Sequence, residues 1–161
     1  MGIVRPHLWF DDQAEQAADF YVSVLPRSEV TNVVRAPAGV PGVPEGQAFV
    51  VEAVLDGQHV TLMNGGPTFQ LDEAFSFVID CQDQAEVDHY WDALLAGGGE
   101  PSRCGWLKDR FGLSWQVVPV ALDRLLFGTG GDPEGSARAM AAMMPMTKLD
   151  IAALQAAYDG L

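Results

Sequence analysis

Two stretches of this 161-residue chain begin as apolar runs with the look of a strand and then switch to a helical spacing in the same way. Ile3–Phe10 is the first run and Phe75–Cys81 the second. Each is followed by Asp-Gln-Ala-Glu, at Asp12-Gln13-Ala14-Glu15 and again at Asp83-Gln84-Ala85-Glu86. After the first copy come Ala17, Phe20/Tyr21 and Val24. After the second come Val87, Tyr90/Trp91 and Leu94. Apolar residues at i, i+3/i+4 and i+7 mark one buried helix face. In both copies the Asp is expected to cap the first unpaired N–H groups, while the Glu three places on reaches back. The pattern predicts two copies of one strand–helix–strands unit, with function sought where the copies meet.

The remaining pattern fills in both units. Asp12–Leu25 reads as the first helix, ended by Pro26, and Ser28–Arg35 as a strand. Ala36–Gly46 holds three Pro and three Gly and reads as a long loop, a flap or an insertion. Gln47–Leu55 and Gln58–Met63 form a predicted hairpin, with Asp56-Gly57 as its turn. Asn64-Gly65-Gly66-Pro67 breaks the chain, and a linker runs to about Asp72. In the second unit Asp83–Ala96 is a helix ended by Gly97-Gly98-Gly99. Arg103–Lys108 and Leu113–Val118 are strands around Asp109–Gly112. Beyond Pro119 the texture is helical: Ala121–Phe127, a linker at Gly128–Gly131, a helix opened by Asp132-Pro133, and a last helix capped by Thr147 with Asp150. The boundaries are modules over 1–66 and 72–119 and helices over 120–161, all in one domain.

Composition narrows the partners. Nine basic against 22 acidic residues give a net charge of −13, a field that repels phosphate backbones and argues against nucleic acid. The two short C-terminal helices therefore do not read as a DNA-binding pair: Arg138 and Lys148 stand against Asp132, Glu134, Asp150 and Asp159. No apolar run reaches membrane-spanning length, and no charged-then-apolar signal opens the chain. Cys81 and Cys104, without a CxxC, read as reduced cysteines of a cytoplasmic protein and not as a zinc site. The Met-rich tail is expected to pack on its own domain or on a twin subunit. The phosphate-loop, nucleophile-elbow and zinc-helix motifs are absent, and no GxGxxG follows a strand.

Pro6-His7-Leu8-Trp9-Phe10, Asp19-Phe20-Tyr21, Gly65-Gly66-Pro67, Glu73-Ala74-Phe75-Ser76-Phe77 and above all the run from Cys104-Gly105-Trp106 through Asp109-Arg110-Phe111-Gly112 to Trp115-Gln116-Val117-Val118-Pro119 resemble the PhnB-like family. That family belongs to the vicinal-oxygen-chelate superfamily of glyoxalases, bleomycin-resistance proteins and extradiol dioxygenases. Its members often carry the name 3-demethylubiquinone-9 3-methyltransferase. The resemblance spans essentially the whole chain. It implies an α+β fold of paired βαβββ modules with sheets cupped around a pocket, here with a C-terminal helical extension, and a homodimer.

The superfamily's metalloenzymes place one ligand, His or Glu, on each of four pocket-lining strands. Here those places fall on His7, near Thr61, near Phe75 and on Gln116. One good and one weak ligand do not hold a divalent ion, so no metal and no cofactor are expected. The methyltransferase name implies S-adenosylmethionine, but no Gly-rich turn follows a strand to hold it.

Residues two apart on a strand share a face. The pocket face is then expected to collect Arg5, His7 and Trp9 on the first strand. From the others come His59, Thr61 and Met63, then Phe75 and Phe77, then Ser114, Gln116 and Val118, with Trp106 beside them. Leu8/Phe10, Val60/Leu62 and Trp115/Val117 form the helix-covered faces. A few polar groups converging among aromatic rings is the usual form of a small-molecule site. The predicted contacts are His7, Trp9, His59, Thr61, Phe75, Phe77, Trp106, Ser114 and Gln116. The expected function is a metal-free small-molecule-binding protein or enzyme on this scaffold, with methyltransferase or metal-dependent lyase or dioxygenase as alternatives.

Overall fold

A computed structural model describes residues 2–128 and 130–161. Thr129, inside the linker read at Gly128–Gly131, lies outside them. The chain forms two compact units, 1–72 and 73–161.

The first unit runs β1 (His7–Phe10), α1 (Ala14–Val24), β2 (Glu29–Arg35), β3 (Ala48–Leu55), β4 (Gln58–Asn64). Its sheet has the order β1-β4-β3-β2. β1 lies parallel to β4, with His7 opposite Thr61 and Trp9 opposite Met63. The β3–β4 hairpin turns at Asp56 and Gly57, both at positive φ (46° and 83°), as a two-residue primed turn requires. Leu8, Phe10, Val51, Ala53, Leu55, Val60 and Leu62 are all buried on one face, and α1 packs on the sheet through Ala14, Ala17, Ala18 and Tyr21. Each large side chain buried there contributes roughly 1.5–3 kcal/mol. β1 starts at His7, not Ile3: Ile3 and Val4 are exposed and outside the ladder.

The second unit repeats the topology: β5 (Ser76–Cys81), α2 (Gln84–Leu95), β6 (Glu100–Pro101), β7 (Trp106–Lys108), β8 (Ser114–Pro119), in sheet order β5-β8-β7-β6. The short strand β6 is two exposed residues without apolar alternation, so it leaves no strand signal in the sequence. β7 begins at Trp106 and not at Arg103, because Cys104 and Gly105 are both left-handed (φ 56° and 84°). Helices α3 (Ala121–Phe127), α4 (Pro133–Met143) and α5 (Ile151–Asp159) follow. Leu125, Leu149 and Leu154 form their core, with Leu122, Met143, Met146 and Tyr158 packed around it. Asp150 caps α5 by accepting from Ala153 N, while Thr147 lends its carbonyl to Gly105 N instead.

The repeated tetrapeptide behaves differently in its two copies. Asp83 caps α2 by accepting from Glu86 N at 2.9 Å, and Glu86 reaches back to Gln82 N at 2.7 Å. In the first copy the N-cap is Gln13, with no side-chain cap. The Asn64 side chain supplies it from β4, its Oδ1 accepting from Ala14 N at 2.8 Å. Glu15 is drawn off into a two-pronged ion pair with Arg35 (2.7 and 2.8 Å). The expected capping box therefore forms only in the second copy.

The loop over 36–46 is tied at its base, with Ala36 N donating to Gln47 O and Gly46 N to Ala36 O, and Val43 is buried. These ties hold its two ends together beneath its three prolines.

Candidate functional site

In each unit the helix covers one face of the sheet, and the expected contact residues on the strands, Phe77 excepted, stand on the other. On the open face of the first sheet the register aligns His7, Thr61, Glu52 and Asn32 in one row. Trp9, Met63, Val50 and Val34 form the next row. On the opposite side of His7 lie Arg5 and His59. The predicted contacts His7, Trp9, His59 and Thr61 thus share one surface.

That surface has a polar end and an apolar end. At the polar end the Arg5 guanidinium donates through Nε to Thr61 Oγ1 at 2.8 Å, and its NH2 lies 3.7 Å from Glu52. Asn32 holds the other Glu52 oxygen at 3.3 Å. Thr61 is buried, and Arg5 is largely exposed. At the apolar end Trp9 makes an edge-to-face contact with Phe69 and donates its indole N–H to Gly66 O at 2.9 Å. A hollow of about 350 Å³ lies beside the polar end, lined by Gly2, Ile3, Val4, Arg5, Gly57, Gln58 and His59.

Gly65 explains how Trp9 is seated. A Cβ at that position would overlap the benzene ring of the indole. Gly65→Ala is therefore expected to push the ring out, break its bond to Gly66 O and cost about 1–3 kcal/mol. A urea melt, together with a shifted Trp9 indole N–H resonance, checks this. An unmoved resonance would mean the seat is looser than described.

In the second unit the open face carries Ser76, Val78 and Asp80 of β5, Ser114, Gln116 and Val118 of β8, and Trp106 and Lys108 of β7. Gln116 donates to Ser76 Oγ at 3.0 Å. Ser114 is buried, and its hydroxyl has no hydrogen-bond partner among the described residues. Lys108 pairs with Glu73 at 2.9 Å, and that hydrogen bond holds the Glu73 carboxyl below its ordinary range.

The expectation for Phe77 is one residue out of register. Phe77 stands opposite Trp115, and the rings lie 5.3 Å apart on the helix side. Phe75 precedes the strand and packs its ring against Phe77 at 5.2 Å. The register puts Ser76, not the aromatic rings, beside Ser114. Of the two phenylalanines only Phe77 follows the core face; Phe75 is exposed.

Sequence reading passed over Glu52 and Asp109. Glu52 is the single charge in Ala48–Leu55, and strand alternation would have put it beside Thr61. Asp109, though nearly fully buried, organises the turn before β8. One oxygen accepts from Phe111 N and Leu113 N (2.8 and 3.1 Å), and the other accepts from the Trp115 indole N–H at 2.8 Å.

The donor set does not fit a divalent ion. The four ligand places hold exposed His7, Thr61 bonded to a guanidinium, an aromatic ring and a carboxamide already engaged with Ser76. No group of three or more His, Cys, Asp or Glu is gathered among the described residues. A cation, Arg5, already occupies the polar end of the first face. S-adenosylmethionine fits no better. The turns from strand to helix are Asp11-Asp12-Gln13 and Gln82-Asp83, which are acidic and without glycine. Burial first, then the charges of Glu86, Asp80 and Asp83, push the Cys81 thiol up to about 11, which favours the protonated thiol.

The family model for 3-demethylubiquinone-9 3-methyltransferase matches residues 3–118. The PhnB protein of Bacillus cereus is 26% identical, with a TM-score of 0.67 over 74% of this chain and 100% of that one. Protein PA1353 of Pseudomonas aeruginosa is 18% identical (TM-score 0.59, 74% and 98% covered). The fosfomycin resistance protein FosX of Listeria monocytogenes is 15% identical (TM-score 0.52, 76% and 94% covered). No curated protein sequence matches the chain. Two four-stranded βαβββ sheets, the matched span and these neighbours place the chain in the 3-demethylubiquinone-9 3-methyltransferase family of the vicinal-oxygen-chelate superfamily.

Proposed function

We propose that the chain is a small-molecule-binding protein of this superfamily that works without a bound divalent ion. Its ligand meets an open sheet face: the first unit's face offers His7, Trp9, His59 and Thr61, and the second unit's face, taken by itself, offers Trp106, Ser114 and Gln116. The observation that carries this reading is the Arg5–Thr61 bond. It ties an organic cation to Thr61, one of the four places where a metal-dependent relative would carry a carboxylate or imidazole. A guanidinium at one end of a face that carries an indole at the other can hold and orient an organic molecule, but it cannot act as a Lewis acid.

The name of the family favours a second reading, methyl transfer from S-adenosylmethionine. Against it stand the acidic, glycine-free turns at both helix starts. In the preferred reading the modules over 1–66 and 72–119 and the helices over 120–161 act as one domain, in a homodimer. Two free thiols suit the cytoplasm, and no helix among the described residues is long and apolar enough to cross a membrane.

Three measurements separate the readings. Elemental analysis of purified protein is expected to find Zn, Mn, Ni and Fe well below one per chain, and calorimetry to find no S-adenosylmethionine binding. A thermal-shift screen of small aromatic compounds is expected to raise the Tm with at least one of them. A stoichiometric metal would overturn the first claim, and tight cofactor binding would restore the methyltransferase.

A further inference from the structure

The open face of the first sheet is charged in a way the rest of the chain is not. The chain has nine Lys and Arg and three His against 22 acids. Yet Arg5, His7 and His59 gather on this one face, with Glu52 on the neighbouring strand β3 and Glu29 on the far edge strand. Arg5 is held by one end only. Its Nε is anchored on the buried Thr61 hydroxyl, which fixes the plane of the guanidinium. Its two terminal nitrogens are not used by that anchor. One of them faces Glu52 at 3.7 Å, beyond hydrogen-bond length. A loose pair between exposed groups is worth little and is readily exchanged for a better one. The guanidinium and His59 both border the hollow of about 350 Å³, a volume in the range of small-molecule sites. From Arg5 the same strand face leads over His7 to the Trp9–Phe69 pair, about 13 Å away at roughly 3.3 Å per residue.

We infer that the ligand is a small organic acid. Its carboxylate takes the free fork of Arg5 in place of Glu52, and its apolar body lies along β1 towards Trp9. This rests on the small-molecule reading above and names the chemical class of that ligand. A planar oxyanion matches a guanidinium with two parallel hydrogen bonds. Glu52 is then an internal competitor. It neutralises the empty site and gives way when a carboxylate arrives.

The test uses the full chain and two probes of one shape, 3-phenylpropionate and its amide, followed by calorimetry and by the Arg5 Nε–H and Trp9 indole resonances. The acid is expected to bind at least about tenfold more tightly than the amide and to move both resonances. Arg5→Gln is expected to abolish the preference; Arg5 is exposed, so the fold survives. Glu52→Gln is expected to tighten the acid several-fold by removing the competitor, which a merely structural carboxylate would not do. Equal binding of acid and amide, an unchanged preference in Arg5→Gln, or weaker binding in Glu52→Gln would each overturn the inference and leave the small-molecule reading intact. Neither probe binding, together with a silent thermal-shift panel, would remove both.

Discussion

Asp109→Ala is expected to cost about 3–5 kcal/mol, a large part of the stability of a protein this size. The carboxylate is almost fully buried and serves three donors: Phe111 N, Leu113 N and the indole of Trp115. Removing it strands a buried indole N–H and two turn amides, each a penalty of about 1–3 kcal/mol, softened where water reaches the half-buried turn. Asp109→Asn discriminates more sharply. The amide keeps the shape but replaces one acceptor oxygen with a donor. Either the indole or the pair of turn amides must then face an N–H. It is expected to lose nearly as much as the alanine variant. Urea unfolding of both variants provides the check, and an Asn variant within about 1 kcal/mol of the parent would show that the carboxylate is not the hub of this turn.

Asn64→Ala is expected to cost about 2–3 kcal/mol, and Asp12→Ala less than about 0.5. Asn64 is buried and does two jobs. Its Oδ1 caps α1 at Ala14 N, and its Nδ2 donates to Ala48 O at 2.9 Å. Asp12 is exposed and outside the cap. In the second unit the cost returns to the tetrapeptide itself: Asp83→Ala is expected to lose about 1 kcal/mol. Thermal melts of the three variants give the ranking directly. Asp12→Ala falling below Asn64→Ala in stability would restore the symmetrical capping expected from the repeat.

These two sites also show where sequence reading reached and where it stopped. The alternation in β1 and β4 correctly assigned Leu8, Phe10, Val60 and Leu62 to the buried face, because apolar burial acts residue by residue and leaves its period in the chain. The doubled strand–helix frame was legible for the same reason. The choice of cap was not. Whether Asp12 or Asn64 serves α1 depends on which reaches the helix start in three dimensions, and Arg35 drawing off Glu15 is a contact across twenty residues. Phe77 misled because aromatic side chains suit a pocket wall and a helix-covered core equally well; only the pairing with Trp115 decides. Arg5 and Glu52 were visible as letters, but their meeting on Thr61 follows from the register of three strands.

The left-handed pair Cys104-Gly105 has a bearing on how this protein can be shortened. Their amides are received by Met146 O and Thr147 O, and the Gln84 carboxamide is clasped between Leu149 O and Ile151 N. All four acceptors and donors lie beyond the stretch shared with the family model, which ends at 118. A minimal version trimmed to that stretch would keep both sheets and the helices α1 and α2 yet leave the hairpin carrying Trp106 with two orphaned amides. The tail is thus stitched into the second unit and is not detachable cargo, and any chimaera that borrows this unit must carry the chain through the first turn of α5.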